Sequence, residues 1–257
     1  MSVEDALLAG LVGLAIGFSK AGVAGLMTLV GPLVTWMRGA SFANGMTLPL
    51  LIVGDIFVLW KFRGRWDLRV ILPMLPGAAV GIILAGTTLL GPLVAHPRLF
   101  NQVIGGIALF FCGVQLWLEW QRARVTRANG GDAPEHQPAP PLAGAAAGAA
   151  TGVLSTIANQ GGLVTNLYLL SQRLSKERFV GSAAVLYFCI NTSKVPFFAG
   201  NGLINAQTLW LDLAGVPFVI AGGFLGAWVL KHINETVFNQ LILWLTVLTG
   251  LKLVIWP

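Results

Sequence analysis

Long apolar runs separated by short charged stretches pattern the whole of this 257-residue chain. The runs cover residues 6 to 37, 42 to 60, 68 to 91, 99 to 120, 141 to 171, 179 to 199, 208 to 230 and 235 to 256. Most are about 20 residues long, the length a helix needs to cross a hydrocarbon core of ~30 Å. The pattern predicts an all-α polytopic membrane protein. One stretch is too polar to pack: residues 122 to 140 hold Arg122, Arg124, Arg127, Gly130, Gly131 and three of the four prolines between Pro134 and Pro141, the composition of a linker. It divides the chain into a first transmembrane repeat at 1–121, a linker at 122–140 and a second repeat at 141–257.

The two halves read as copies. Phe100-Asn101-Gln102 opens the last segment of the first and Phe238-Asn239-Gln240 that of the second. At nearly one offset Gly25 matches Gly161, Gly45 matches Gly181, Leu50 matches Leu186 and Asp55 matches Asn191, with Pro76 and Gly81 opposite Pro217 and Gly222 slightly out of phase. Internal repeats of this kind characterise secondary transporters, whose substrates bind where two halves meet near the membrane midplane.

Basic residues crowd three places: Lys61, Arg63, Arg65 and Arg69; Arg173, Lys176 and Arg178; and the linker. The positive-inside rule makes all three cytoplasmic. The segment 141–171 must then enter and leave on one side, as a hairpin broken at Ser155-Thr156-Ile157-Ala158-Asn159-Gln160-Gly161-Gly162. Segment 6–37 repeats the design with a break at Ser19-Lys20-Ala21-Gly22, and the acidic Met-Ser-Val-Glu-Asp start places the N-terminus outside. The expected fold is two inverted repeats of about four segments, the first segment of each a broken helix or hairpin. Single crossings with parallel repeats are the alternative.

Composition narrows the function. With 56% hydrophobic and 10% charged residues, the chain lacks the charge to coat a soluble globule. The net charge of +6 sits at segment flanks, so topology accounts for it better than a nucleic-acid partner does. Cys112 and Cys189 lie inside apolar segments and read as small hydrophobes. His96, His136 and His232 have no metal-ligand spacing, and neither a phosphate loop nor a nucleophile elbow occurs. No metal, cofactor or catalytic residue is expected. Tryptophans near segment ends, Trp60, Trp66, Trp120 and Trp256, suit interfacial anchors that meet lipid.

The chemistry gathers at the breaks. Non-helical backbone at membrane depth survives only inside protein or along a watery cavity, so the tips are candidate substrate sites. Gly22 allows close approach there, and a helix starting after a break offers free N–H groups to an anion. Lys20 lies deep in an apolar run, where an ammonium is costly unless solvated or paired. It binds an anion, or it snorkels or pairs with Asp55. Ser19, Ser155, Thr156, Asn159 and Gln160 can donate to an oxyanion or merely satisfy loose backbone. Asn191 and Lys194, three residues apart, share a helix face; Lys194 is close enough to a segment end to snorkel instead. Asp55 is a charge partner or proton carrier.

Gly17-Phe18-Ser19-Lys20-Ala21-Gly22-Val23-Ala24-Gly25, with Gly31-Pro32-Leu33 after it, resembles the opening motif of the sulfite exporter TauE/SafE family. Asn159-Gln160-Gly161-Gly162, Tyr168-Leu169-Leu170-Ser171-Gln172-Arg173-Leu174, Phe179-Val180-Gly181 and Asn191-Thr192-Ser193-Lys194 are similar to its second-repeat signature. Leu48-Pro49-Leu50-Leu51 with Asp55, and Arg63-Gly64-Arg65-Trp66-Asp67, match its first-repeat sequel. The family pattern differs in having glycines at Ala21 and Ala24, and often His-Ala at Asn159-Gln160. The resemblance implies a secondary transporter, not an enzyme, that moves sulfite, sulfonates or related small organic anions, usually outward across the bacterial inner membrane. An intramembrane enzyme or a scaffold without transport is the alternative, with Asp55 and the Arg63 to Arg69 loop as its material.

Overall fold

A computed structural model describes residues 3–21, 26–128, 141–172, 174–229, 244, 247, 248 and 251–256. The described chain is helical: α1 (Val3–Ala21), α2 (Met27–Arg38), α3 (Ala40–Lys61), α4 (Leu68–Ile71), α5 (Met74–Leu84), a π-helical turn (Ala85–Leu89), α6 (Leu90–Ala95), α7 (Pro97–Ala128), α8 (Pro141–Ala158), α9 (Gly162–Ser171), α10 (Lys176–Gly200) and α11 (Ala206–Val229). Among the described residues five helices are long and apolar enough to cross a membrane: Ala40–Lys61, Met74–Ala95, Pro97–Val114, Pro141–Ala158 and Ala206–Trp228. The outer surface carries large apolar side chains such as Trp210, Leu213, Phe224 and Trp228, whereas Ser19, Asn44, Thr47, Asp55, Ser155, Asn191 and Lys194 are buried. Apolar outside and polar within is the arrangement lipid favours.

Three expected boundaries move. The segment 68–91 is broken after Ile71, and its long helix runs Met74–Ala95. The polar stretch 122–128 continues α7 as helix, because nothing in it breaks a helix before Gly130 and a helix can outlast its apolar part once it reaches water. The expected breaks also start later: Ser19 and Lys20 lie in the last turn of α1, and Ser155 and Thr156 in the last turn of α8. The linker from 129 to 140, the glycines Gly22 and Gly25, the basic residue Arg173, and the Phe238-Asn239-Gln240 match fall outside the described residues.

The segments 6–37 and 141–171 are both paired helices. Arg38, at the end of α2, donates to Asp5, at the start of α1, at 2.7 Å, so the first pair leaves at the end where it entered. Gly39, with φ +85°, makes the turn into α3 in a region open mainly to glycine. In the second pair the Thr151 and Thr165 hydroxyls meet at 3.1 Å, and a Cβ on Gly144 would lie 2.7 Å from the Tyr168 hydroxyl. α9 therefore runs back along α8.

Glycines set how helices from the two halves meet. A Cβ on Gly13 would lie 2.5 Å from Gly215 O, and one on Gly17 only 1.9 Å from Val219 O. A Cβ on Gly148 would lie 2.0 Å from Met74 O, and one on Gly152 2.4 Å from Ala78 O. α1 thus lies backbone to backbone along α11, and α8 along α5, each pair parallel, in the small-residue packing that lets membrane helices touch. α3 and α10 cross antiparallel: Gly45 faces Leu203 O, Gly181 faces Arg65 O, and Asp55 meets Asn191 between them.

Candidate functional site

α3 and α10 bring Asp55 and Asn191 face to face in the interior. Asp55 is fully enclosed. One of its oxygens accepts from Lys20 Nζ, reaching over from the last turn of α1, and the other accepts from Asn191 Nδ2 at 2.7 Å. The Lys20 stem lies on Gly54, where a Cβ would come 3.3 Å from Lys20 Cγ. Its ammonium stands 4.6 Å from the centroid of the Tyr187 ring, within cation–π range. About a tenth of the Lys20 side chain remains accessible.

One turn along α10 from Asn191, Lys194 sits in a different socket. It is completely buried, not at the surface as a snorkelling lysine would be, because the last turn of α8 closes over it. Its Nζ donates to Ser155 O at 3.0 Å, Ser155 Oγ at 2.9 Å and Asn159 Oδ1 at 2.6 Å. Three oxygen acceptors match the three N–H donors of an ammonium, and a cation at a helix C-terminus is favoured by loose carbonyls and the helix dipole. Among the described residues Lys194 forms no ion pair with a carboxylate.

The break after α8 is held by Asn159, whose φ of +52° places it in the left-handed region that asparagine tolerates better than most residues. Its side-chain amide carries the break across to α3: Nδ2 donates to Thr47 Oγ1 at 2.9 Å and Asn44 Oδ1 at 3.2 Å. Asn44 Nδ2 returns a bond to Ile157 O at 2.7 Å. Gln160 Nε2 donates to Met27 O at 3.1 Å, so the second break touches the helix that follows the first.

Of the sequence-derived candidates, Lys20, Asp55 and Asn191 form one buried polar group, and Lys194, Ser155 and Asn159 form a second one turn along α10, with Gln160 next to Asn159 donating to Met27 O. Thr156 is buried, but its hydroxyl donates to Gly152 O in its own helix at 2.8 Å. Ser19 is buried beside Lys20 in the same turn; Gly22 lies outside the described residues. The sequence reading missed Asn44, Thr47 and Tyr187. Polar but neutral, they carry no signal inside an apolar helix until a partner faces them.

Comparison with curated proteins and with solved structures yields no match. One family description, Sulfite exporter TauE/SafE, matches residues 9–253.

Proposed function

The chain belongs to the sulfite exporter TauE/SafE family, and from that premise we propose that it is a secondary transporter exporting a small sulfur-containing or organic anion, sulfite or a sulfonate, across the bacterial inner membrane. Membership makes it a membrane transporter, not an enzyme. The observation that carries the finer reading is the Lys20–Asp55–Asn191 cluster, with Lys194 one turn away, enclosed between two helix breaks in a molecule whose surface is apolar. Buried ionisable groups in a membrane interior mark ion and substrate pathways.

The residues divide the work. Lys20, partly accessible and held by a carboxylate that an incoming anion can replace, is the anion's charge contact. Asp55 keeps that ammonium paired while the site is empty. Asn191 bonds Asp55 in the empty site and turns its amide N–H to the anion when Asp55 yields. Lys194, saturated by Ser155 and Asn159, positions the second break and adds positive potential. Ser19, Gly22, Ser155, Asn159 and Gln160 complete the surroundings of the anion, and Thr156, whose hydroxyl donates to Gly152 O, holds the last turn of α8 beneath them.

An inverted repeat is the architecture this reading uses. The offset that matches Gly45 to Gly181 also matches Asp55 to Asn191, and those two hydrogen-bond each other, as residues on a two-fold axis would. Gly13 and Gly17 face residues 215 and 219, while Gly148 and Gly152 face residues 74 and 78; exchanging the halves exchanges these contacts. The antiparallel crossing of α3 and α10 supports a two-fold in the membrane plane. The Arg65–Glu177 ion pair gathers the 61–69 and 176–178 basic stretches at one end, which the positive-inside rule makes cytoplasmic. The N-terminus, with Asp5 and Arg38, is then outside. Alternating access follows from one hairpin and its partners rocking against the other around the lysines.

Anion flux in proteoliposomes tests the reading. Sulfite or sulfonate should exchange across vesicles containing the protein, and Lys20→Ala should stop it. Absence of flux for sulfite, sulfonates and small carboxylates, or wild-type flux in Lys20→Ala, overturns it.

A further inference from the structure

A second buried carboxylate lies outside this site. Asp212, on α11, is 4% exposed, and neither of its oxygens has a hydrogen-bond partner among the described residues. It belongs to the inward stripe of α11 made by Thr208, Leu211, Asp212, Gly215 and Val219, spaced so that one helical face meets α1 and α3. Leu211 lies in an apolar cluster with Leu8, Ala9, Met46 and Leu50, and one turn on, a Cβ on Gly215 would lie 3.1 Å from Ala9 O and from Leu50. The charged groups of the packed elements are engaged or distant: Glu4 is exposed at the start of α1, Asp5 holds Arg38, Lys20 holds Asp55, and Lys61 lies over Phe224 at the far end of α11. An ionised carboxylate with no donor is the costliest group to keep in such a place; a protonated carboxyl is far cheaper.

We propose that Asp212 is the proton-carrying group of the transport cycle: a neutral carboxylic acid in the state described here, it releases its proton to water when α1 and α11 shift along α3, and takes one up on return. Helix packing links Asp212 mechanically to the anion site. α1 and α11 touch through backbone at Gly13, Gly17, Gly222 and Gly226, so they move as a unit. One end of that unit carries Lys20, whose tie to α3 is Asp55, and the other carries Asp212 against the same helix. An anion that displaces Asp55 from Lys20 loosens the unit from α3 and so alters the surroundings of Asp212. The position does not demand a carboxylate for packing. In the repeat register that sets Pro76 opposite Pro217, the counterpart of Asp212 is Ile71, fully buried. This inference rests on the transport reading above for its role, though not for the protonation of Asp212.

Two measurements on the full chain in lipid separate them. The infrared spectrum should contain a carbonyl band of a protonated carboxylic acid that is missing in both Asp212→Asn and Asp212→Ile. In proteoliposomes, sulfite counterflow without a pH gradient should persist in both variants, while the acceleration that a pH gradient gives the wild type should be lost. A band unchanged by either substitution, or a pH-gradient response in the variants equal to the wild type, overturns the proposal. Should no anion move in wild type under any condition, the transport reading fails, and the infrared band alone still decides whether Asp212 holds a proton.

Discussion

Lys20 and Asp55 depend on each other, and their separate removal has different consequences. Lys20→Ala leaves a fully buried carboxylate with only Asn191 to answer it, which costs ~3–5 kcal/mol; thermal unfolding in detergent should show a large drop. The double variant Lys20→Ala/Asp55→Asn should recover most of that stability yet remain without anion flux, because no charge contact returns. Asp55→Asn alone frees the ammonium and should tighten anion binding, measured as a lower half-saturation for counterflow. Asn159 is a third test. Asn159→Gly keeps the left-handed backbone but deletes an acceptor of Lys194 and the donors to Thr47 and Asn44, so a loss of ~1–3 kcal/mol for buried groups left unpaired is expected.

Among helices, glycine contacts with backbone decide what can pack. Gly17→Ala and Gly77→Ala each push a methyl to 1.9 Å from a carbonyl oxygen, of Val219 and Ala145 respectively. The axes must separate, at a cost of ~1–3 kcal/mol or more. In the proposed repeat the α1–α11 and α5–α8 contacts are counterparts, so the two losses should be similar. Gly106→Ala meets nothing within 4 Å and should be neutral or slightly stabilising, because alanine favours helix by up to ~1 kcal/mol over glycine. Thermal midpoints of the three variants in one detergent check the contrast. The helix breaks were legible as glycine and polar runs. Their edges were not: Lys20 and Ser155 stay inside the last turns of α1 and α8, where a carboxylate and a lysine from other helices meet them.

For the molecule as a whole, the sidedness is testable. In a background with Cys112 and Cys189 replaced by alanine, Arg38→Cys should react with a membrane-impermeant thiol reagent from outside and Arg63→Cys only from the cytoplasmic face. Reaction of both from one side would remove the inverted architecture. The Arg65–Glu177 pair brings two basic stretches to one end, and the Asp5–Arg38 pair closes the first hairpin.

The sequence by itself determined that the chain lives in lipid, where its long helices lie, and that Lys20, Asp55, Asn191 and Lys194 merit scrutiny. Apolar length and the cost of a charge in an apolar run are local properties that any stretch of residues displays. Only the tertiary structure decided which charges are paired. Lys20 has a carboxylate, Lys194 has a cage of neutral oxygens, and Asp212, near a segment end and easily passed over, has no hydrogen-bond partner among the described residues. A side chain's partner comes from a helix far away in sequence, and its identity depends on how closely two backbones approach at a glycine.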